Sequence, residues 1–322
     1  MLPNPALKML LAHQGLKVER SRCVQHRFKP TGCDRCFRIC PSGAMRWTDA
    51  GLHWEEADCQ RCLLCVAVCP TGALVGKALP FVQTLKKLGA EQQPVLACTG
   101  RPSTVGHARL PCLGLLSSPE LLLVTSLALG KPFQLNLTEC TQCPNAVILP
   151  YLEEAAAAVA EITDHARLVR QESELVFREV GVSRREFFSI LKRQSKTSAV
   201  SLAGTLYELP DQSFGDKSLP SRRLFLMQLL KRLPEGQRTE LTALLFPRID
   251  ISVDSCTGCT GCVGLCPTGA LFPSKTQGSP PKTHVQNCTE CDLCTAFCRS
   301  GAIRISSGKL GRMAQRVGAS AP

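Results

Sequence analysis

The chain has 322 residues, 44% of them hydrophobic, so it can bury real cores, and its length suits two or three domains better than one. Twenty cysteines against 12 Phe, 2 Tyr and 2 Trp make sulfur the unusual component and exclude an ordinary aromatic-packed enzyme. A formal charge of +12 with a pI near 9.0 would by itself suggest nucleic acid or an anionic membrane surface.

The first 20 residues carry apolar side chains only in short pieces such as Met9-Leu10-Leu11-Ala12, too short for the core of a secretory signal. The longest apolar stretch, residues 121–130 between Glu120 and Lys131, falls well short of the roughly 20 residues that cross a bilayer. A cytoplasmic protein without a membrane span is therefore expected. In a reducing compartment cysteines bind metal or do redox chemistry more often than they form permanent disulfides.

In chain order the cysteines fall into five sets of four with none left over: Cys23, Cys33, Cys36 and Cys40; Cys59, Cys62, Cys65 and Cys69; Cys98, Cys112, Cys140 and Cys143; Cys256, Cys259, Cys262 and Cys266; Cys288, Cys291, Cys294 and Cys298. The sets beginning at Cys59, Cys256 and Cys288 are spaced C-x2-C-x2-C-x3-C. Three thiolates two residues apart wrap one corner of an iron-sulfur cluster, while the fourth, a helical turn on, points away to a neighbouring cluster. After the fourth cysteine the chain reads Pro41-Ser42-Gly43-Ala44, Pro70-Thr71-Gly72-Ala73, Pro267-Thr268-Gly269-Ala270 and Arg299-Ser300-Gly301-Ala302. Proline stops the loop and glycine lets the backbone turn back. Between the first two runs, residues 45–47, 48–51 and 52–54 read as strand, turn and strand. In the second copy 270–272 and 283–285 flank a Pro/Gly/Ser loop, and 249–251 can pair with 303–305.

Residues 16–78 and 249–306 thus each resemble a two-cluster bacterial-type ferredoxin domain, an internal duplication. The resemblance implies a pseudo-twofold unit of paired hairpins and short helices. It also implies crossed ligation of four [4Fe-4S] clusters: Cys23, Cys33 and Cys36 with Cys69; Cys59, Cys62 and Cys65 with Cys40; Cys256, Cys259 and Cys262 with Cys298; Cys288, Cys291 and Cys294 with Cys266. The first run departs from the pattern, with Pro30 where a cysteine is expected, so Cys23 must reach back across residues 24–32; without it the cluster is missing or a three-iron form. Zinc sites use two cysteine pairs separated by a long gap, which these runs do not follow.

From Pro94 to about Glu174 the cysteines are spread out. Strand-like runs end at Cys98, near Cys112 and near Cys140-Thr141-Gln142-Cys143. A helix over 120–129, capped by Ser117 or Ser118 with Pro119 at its first position, is expected between the second and third, and a helix to residue 162 and a strand over 166–169 follow. This is a small Rossmann-like α/β unit with its cysteines at the carboxyl ends of the strands. The pieces Ala97-Cys98-Thr99-Gly100, Leu110-Pro111-Cys112-Leu113-Gly114 and Glu139-Cys140-Thr141-Gln142-Cys143 resemble the delta, or iron-sulfur, subunit of methyl-viologen-reducing hydrogenases. That resemblance implies a further [2Fe-2S] (or [4Fe-4S]) cluster on Cys98, Cys112, Cys140 and Cys143; the alternative is four buried apolar cysteines.

Residues 175–248 hold no cysteine and read as helices over 174–180, 184–193 and about 219–233, with Gly236 and Pro247 as punctuation. Ser183-Arg184-Arg185-Glu186-Phe187-Phe188 resembles a twin-arginine signal but reads better as a capping box opening a helix. The basic end from Lys309 to Arg316 reads as a solvated terminus with docking as the alternative. A four-thiolate cluster carries about −2, so five would bring roughly −10 and reduce the balance to roughly +2, and nucleic-acid binding is not expected. There is no C-x-x-C-H, no G-x-G-x-x-G after a strand and no G-K-[ST], and His13, His26, His53, His107, His165 and His284 form no spaced pair, so no catalytic residue is assigned.

The expected fold is α+β: an N-terminal segment 1–15, a dicluster ferredoxin-like domain 16–80, an α/β cluster domain 91–174, a helical linker 175–248, a second dicluster domain 249–306 and a basic tail 307–322. The expected function is a non-catalytic electron-transfer subunit relaying electrons between donor and acceptor proteins of an oxidoreductase complex. The alternative is an accessory or maturation iron-sulfur protein for a reductase or hydrogenase.

Overall fold

Short strands, tight cysteine-bearing loops and a few amphipathic helices are what the sequence pattern dictates. The computed structural model describes residues 15–49, 51–76, 81–178 and 217–319. The chain divides into two units: Met1–Cys59 with Val68–Ala78 and Asp211–Pro322, and Gln60–Ala67 with Leu79–Pro210. Among the described residues no helix is long and apolar enough to cross a membrane.

The first unit carries the same arrangement twice. An outer antiparallel pair joins the start of each half to its end, Leu16–Val18 with Leu74–Gly76 and Arg248–Ile251 with Ile303–Ser306. An inner pair lies between the two cysteine runs, Met45–Thr48 with Gly51–Trp54 and Leu271–Phe272 with Lys282–Thr283. Isolated two-stranded ribbons are marginal in water, so what they enclose must hold them. In the second half that core is Val263, Ala270, Leu271 and Ile303 together with Cys262, Cys266 and Cys288, with Ile249, Ile251, Cys294 and Cys298 packed against it. Sulfur takes the place of large apolar side chains in a core too small to be stable on hydrophobic burial alone.

Three helices close this unit. Ser221–Lys231 follows Pro220, and Glu235–Leu245 starts after Pro234 with Glu235 in its first turn, where a carboxylate suits the helix dipole. Gly236, read from sequence as punctuation, lies inside this second helix. The basic end is not a solvated terminus. Lys309–Ala319 is a helix that buries Leu310, Met313 and Val317, spaced at helical intervals, and packs on Glu235–Leu245, leaving Arg312 outward. Its sparse apolar stripe was masked by the lysine and arginines around it.

The second unit is built on a four-stranded parallel sheet in the order Ala108–Leu110, Val95–Cys98, Phe133–Asn136, Ala166–Val169. Val95–Cys98 and Phe133–Asn136 are buried at every position, as central parallel strands covered on both faces must be. The helix Pro119–Leu129 begins as its sequence predicts, with Ser118 accepting from the Leu121 N–H at 3.4 Å and Pro119 first. It ends at Gly130, whose φ of 59° is left-handed. Nearly all its residues are buried, and it is joined by the helices Phe81–Ala90 and Ile148–Ala160.

The helix expected over 174–180 does not form in its described part. The backbone of exposed Val176 is instead bound by the buried Gln134 amide, which donates to Val176 O at 2.8 Å and accepts from Val176 N at 2.9 Å. With both groups committed to a buried side chain, helical hydrogen bonding there has no partner left. The expected helix over 184–193 and the Ser183/Glu186 cap lie outside the described residues.

Candidate metal centres

All twenty cysteines are free thiols with no disulfide between them. The three C-x2-C-x2-C-x3-C loops share a backbone device. The residues on either side of the second cysteine have positive φ: Arg61 and Leu63, Gly258 and Thr260, Glu290 and Asp292, from 53° to 67°. Side chains at such angles cost about 1–3 kcal/mol each and persist only where the surroundings impose them, as at ligand clamps. Left-handed positions on both sides of the second cysteine turn the loop sharply there. In the first run Gly32, before Cys33, keeps the device at 60°, while Asp34 after it has φ −125°.

Three of the crossed quartets come together in the first unit. Cys23, Cys33, Cys36 and Cys69 line one cavity of about 30 Å3 with Trp47, Leu52 and Leu74. Cys23 therefore does return to the run despite Pro30. Burial pushes the Cys23, Cys33 and Cys36 thiols up, and Cys69 beside them adds to it. Cys256, Cys259, Cys262 and Cys298 line a cavity of about 320 Å3 with Ile251, Phe297 and Ile303. Cys266, Cys288, Cys291 and Cys294 form the third group, where burial raises Cys288 to about 11 and Cys294 to about 12, with Cys266 and its neighbours adding to the effect.

The middle cysteines also converge, in the second unit. Burial pushes Cys112 up to about 12, with Cys62, Cys98 and Cys140 around it, and Cys140 up to about 11, with Cys98 and Cys143 beside it. Arg109 braces the loop after Cys98, donating to Cys98 O at 2.8 Å, Arg101 O at 3.2 Å, Pro102 O at 3.3 Å and Thr104 O. Arg101 in turn donates to Gln142 O at 2.5 Å, tying that loop to the one carrying Cys140 and Cys143. Asn145 donates to Gln60 O at 3.1 Å and lies 3.9 Å from Cys112 Sγ, and a Cβ on Gly114 would run into the Cys62 carbonyl. Segment 60–67 of the second cysteine run is thus docked on the α/β unit. Of the remaining quartet, Cys62 and Cys65 are buried in this unit, whereas Cys40 and Cys59 are half-buried in the other.

The fourth cysteine of every run has a partner that the sequence reading passed over. A hydroxyl two residues on stands at its sulfur: Ser42 at 3.7 Å from Cys40, Thr71 at 3.8 Å from Cys69, Thr268 at 3.6 Å from Cys266 and Ser300 at 3.5 Å from Cys298. Ala73 N and Ala270 N donate to Cys69 and Cys266 at 3.3 and 3.2 Å. The signal was the Ser or Thr before each glycine. Half-buried Cys298 shows the effect, since the Ser300 hydroxyl holds its thiol below the usual range.

The group of Cys256, Cys259, Cys262 and Cys298 has room for an iron-sulfur cluster. Among the described residues no three His, Cys, Asp or Glu side chains close on a point as ligands of one ion. The 320 Å3 space between Cys256, Cys259, Cys262 and Cys298 suits a polyatomic group better than one ion held at about 2.3 Å.

Two stretches match family models, each described as a 4Fe-4S dicluster domain: residues 29–73 and residues 248–299. An uncharacterized ferredoxin of Methanocaldococcus jannaschii is 32% identical over 66 residues, which is 19% of this chain and 77% of that relative.

Proposed function

We propose that this chain, which belongs to the 4Fe-4S ferredoxin family, is the electron-transfer subunit of an oxidoreductase complex, relaying electrons between a donor and an acceptor protein. The observation that carries the reading is the convergence of cysteines far apart in sequence, Cys23 with Cys69 and Cys259 with Cys298, into separate thiol groups beside backbone N–H and hydroxyl donors. Four [4Fe-4S] clusters would be held by the crossed quartets: Cys23, Cys33, Cys36 and Cys69; Cys40, Cys59, Cys62 and Cys65; Cys256, Cys259, Cys262 and Cys298; Cys266, Cys288, Cys291 and Cys294. A fifth, of the [2Fe-2S] (or [4Fe-4S]) type, would be held by Cys98, Cys112, Cys140 and Cys143, as the likeness to the hydrogenase delta subunit suggests.

A cluster supplies one-electron exchange with no bond made or broken. The chain supplies everything else. The left-handed positions fix the turn at the second cysteine, so little reorganisation accompanies the change of charge. The alanine N–H groups and the Ser and Thr hydroxyls stabilise negative charge on sulfur, and burial of Leu271 and Ile303 keeps water from the thiols. Docking of segment 60–67 on the α/β unit brings Cys62 beside Cys112, which supports passage between the middle site and the Cys62 site.

Iron and sulfide analysis of anaerobically purified protein tests the inventory. About 18 to 20 iron atoms per chain are expected, and about eight or fewer would end the relay. Affinity purification that recovers a stoichiometric partner with flavin, molybdenum or a hydrogenase site supports the subunit role, whereas recovery of a transient assembly partner alone contradicts it.

A further inference from the structure

Two consecutive arginines at the start of the helix Ser221–Lys231 reach different halves of the first unit. Arg222 donates through Nη2 to the carbonyl oxygens of Cys69 and, at 2.9 Å, Pro70. Arg223 donates through Nη1 to Gln286 O at 2.8 Å and Cys288 O at 2.5 Å, with its guanidinium carbon 5.1 Å from the centre of the Phe246 ring. Both are buried, at 9% and 4% exposure. The segment just before them is fastened to both halves as well: Ser218 N donates to Pro267 O at 2.9 Å, Ser218 Oγ accepts from Arg22 Nε at 2.6 Å, and Pro220 packs against Gly72. A second seam runs beside it, where Arg27 donates to Leu265 O and Gly264 O at 2.8 and 2.9 Å and Phe28 meets Phe297 edge-on at 5.5 Å.

Carbonyl oxygens satisfy a guanidinium's hydrogens without cancelling its charge, and a buried cation is costly unless negative charge stands near. Glu290 faces Arg223 from the loop between Cys288 and Cys291. What the two arginines have in common is a cysteine carbonyl, and the two cysteines belong to two different quartets, one in each half. A guanidinium held on the backbone of a cysteine places positive charge beside whatever negative charge that cysteine's quartet gathers.

We infer that Arg222 and Arg223 are a matched pair of positioning residues that raise the reduction potentials of the Cys23/Cys33/Cys36/Cys69 and Cys266/Cys288/Cys291/Cys294 sites together, levelling them for exchange between the two halves. The exchange is one electron: the site that gives it is oxidised by one, the site that takes it is reduced by one, and no proton or bond moves. This rests on the reading that both quartets hold clusters.

The test uses the full chain purified without oxygen, in four forms besides wild type: Arg222→Gln, Arg223→Gln, Arg222→Lys and Arg223→Lys. Each is titrated with dithionite and redox mediators while EPR follows the reduced signals, assigned to sites by their loss in Cys36→Ser and Cys291→Ser, and iron is counted alongside. In wild type the two sites reduce within about tenfold of each other at any set potential, 59 mV for a one-electron couple. Each glutamine variant leaves its own site about tenfold less reduced at the wild-type midpoint and the other within about twofold. Each lysine variant, keeping the charge but not the planar fork, moves its own site about threefold. If the glutamine variants lose iron, the lysine variants decide. Unshifted midpoints at full iron content, or equal shifts at both sites from one substitution, overturn the inference. A wild-type chain without iron and sulfide overturns the proposed function instead.

Discussion

Replacing Thr268 with valine tests whether the hydroxyls beside the fourth cysteines tune the sites they touch. Thr268 is 4% exposed, and its hydroxyl oxygen stands 3.6 Å from Cys266 Sγ, which also accepts from Ala270 N at 3.2 Å. Valine keeps the shape and removes one of two sulfur donors. A net hydrogen bond is worth about 0.5–1.5 kcal/mol, and a long O–H···S contact sits at the low end, about 0.5–1 kcal/mol. The bond strengthens as sulfur gains charge on reduction, so its loss disfavours the reduced form. At 59 mV per tenfold, or about 1.4 kcal/mol, the site of Cys266, Cys288, Cys291 and Cys294 should fall by roughly 20–45 mV. EPR-monitored potentiometric titration under argon reads the midpoint, with iron content as the control. A midpoint that rises, or moves by less than about 10 mV with full iron, refutes the reasoning.

Thr71→Val should lower the Cys69 site in the same sense and by a similar amount, read in the same titration. Cys23→Ser should remove about one to four iron atoms and leave the signals of the other sites in place; unchanged iron would show that Cys23 is not a ligand. Gly114→Ala pushes a methyl into the Cys62 carbonyl and to 2.9 Å from Ile148 Cγ2, overpacking that costs about 1–3 kcal/mol, so the visible cluster absorbance should bleach at a lower temperature than in wild type. Arg109→Met strips the donors from the Cys98–Thr104 loop and should cost about 2–3 kcal/mol locally, with the middle-site signal lost first on heating and the dicluster signals retained.

The cysteine runs, the hairpin at Met45–Trp54 and the capped helix after Ser118 were legible in the sequence because each is local. Spacing of two residues forces three thiols onto one turn, and a Ser-Pro start with a Gly stop bounds a helix wherever it is placed. Signals that depend on packing were not legible. The apolar stripe of Lys309–Ala319 has meaning only against Glu235–Leu245, and the backbone of Val176 is hydrogen-bonded by Gln134, 42 residues away in sequence. Nor does any spacing show that segment 60–67 docks on the α/β unit, or that Arg222 and Arg223 reach the carbonyls of Cys69 and Cys288, 153 and 65 residues away. The chain's covalent geometry decides which thiols can share a loop. Which charges and which neighbours surround that loop is decided only when distant segments pack and exclude water, because burial is what gives a carbonyl, a hydroxyl or a guanidinium its strength.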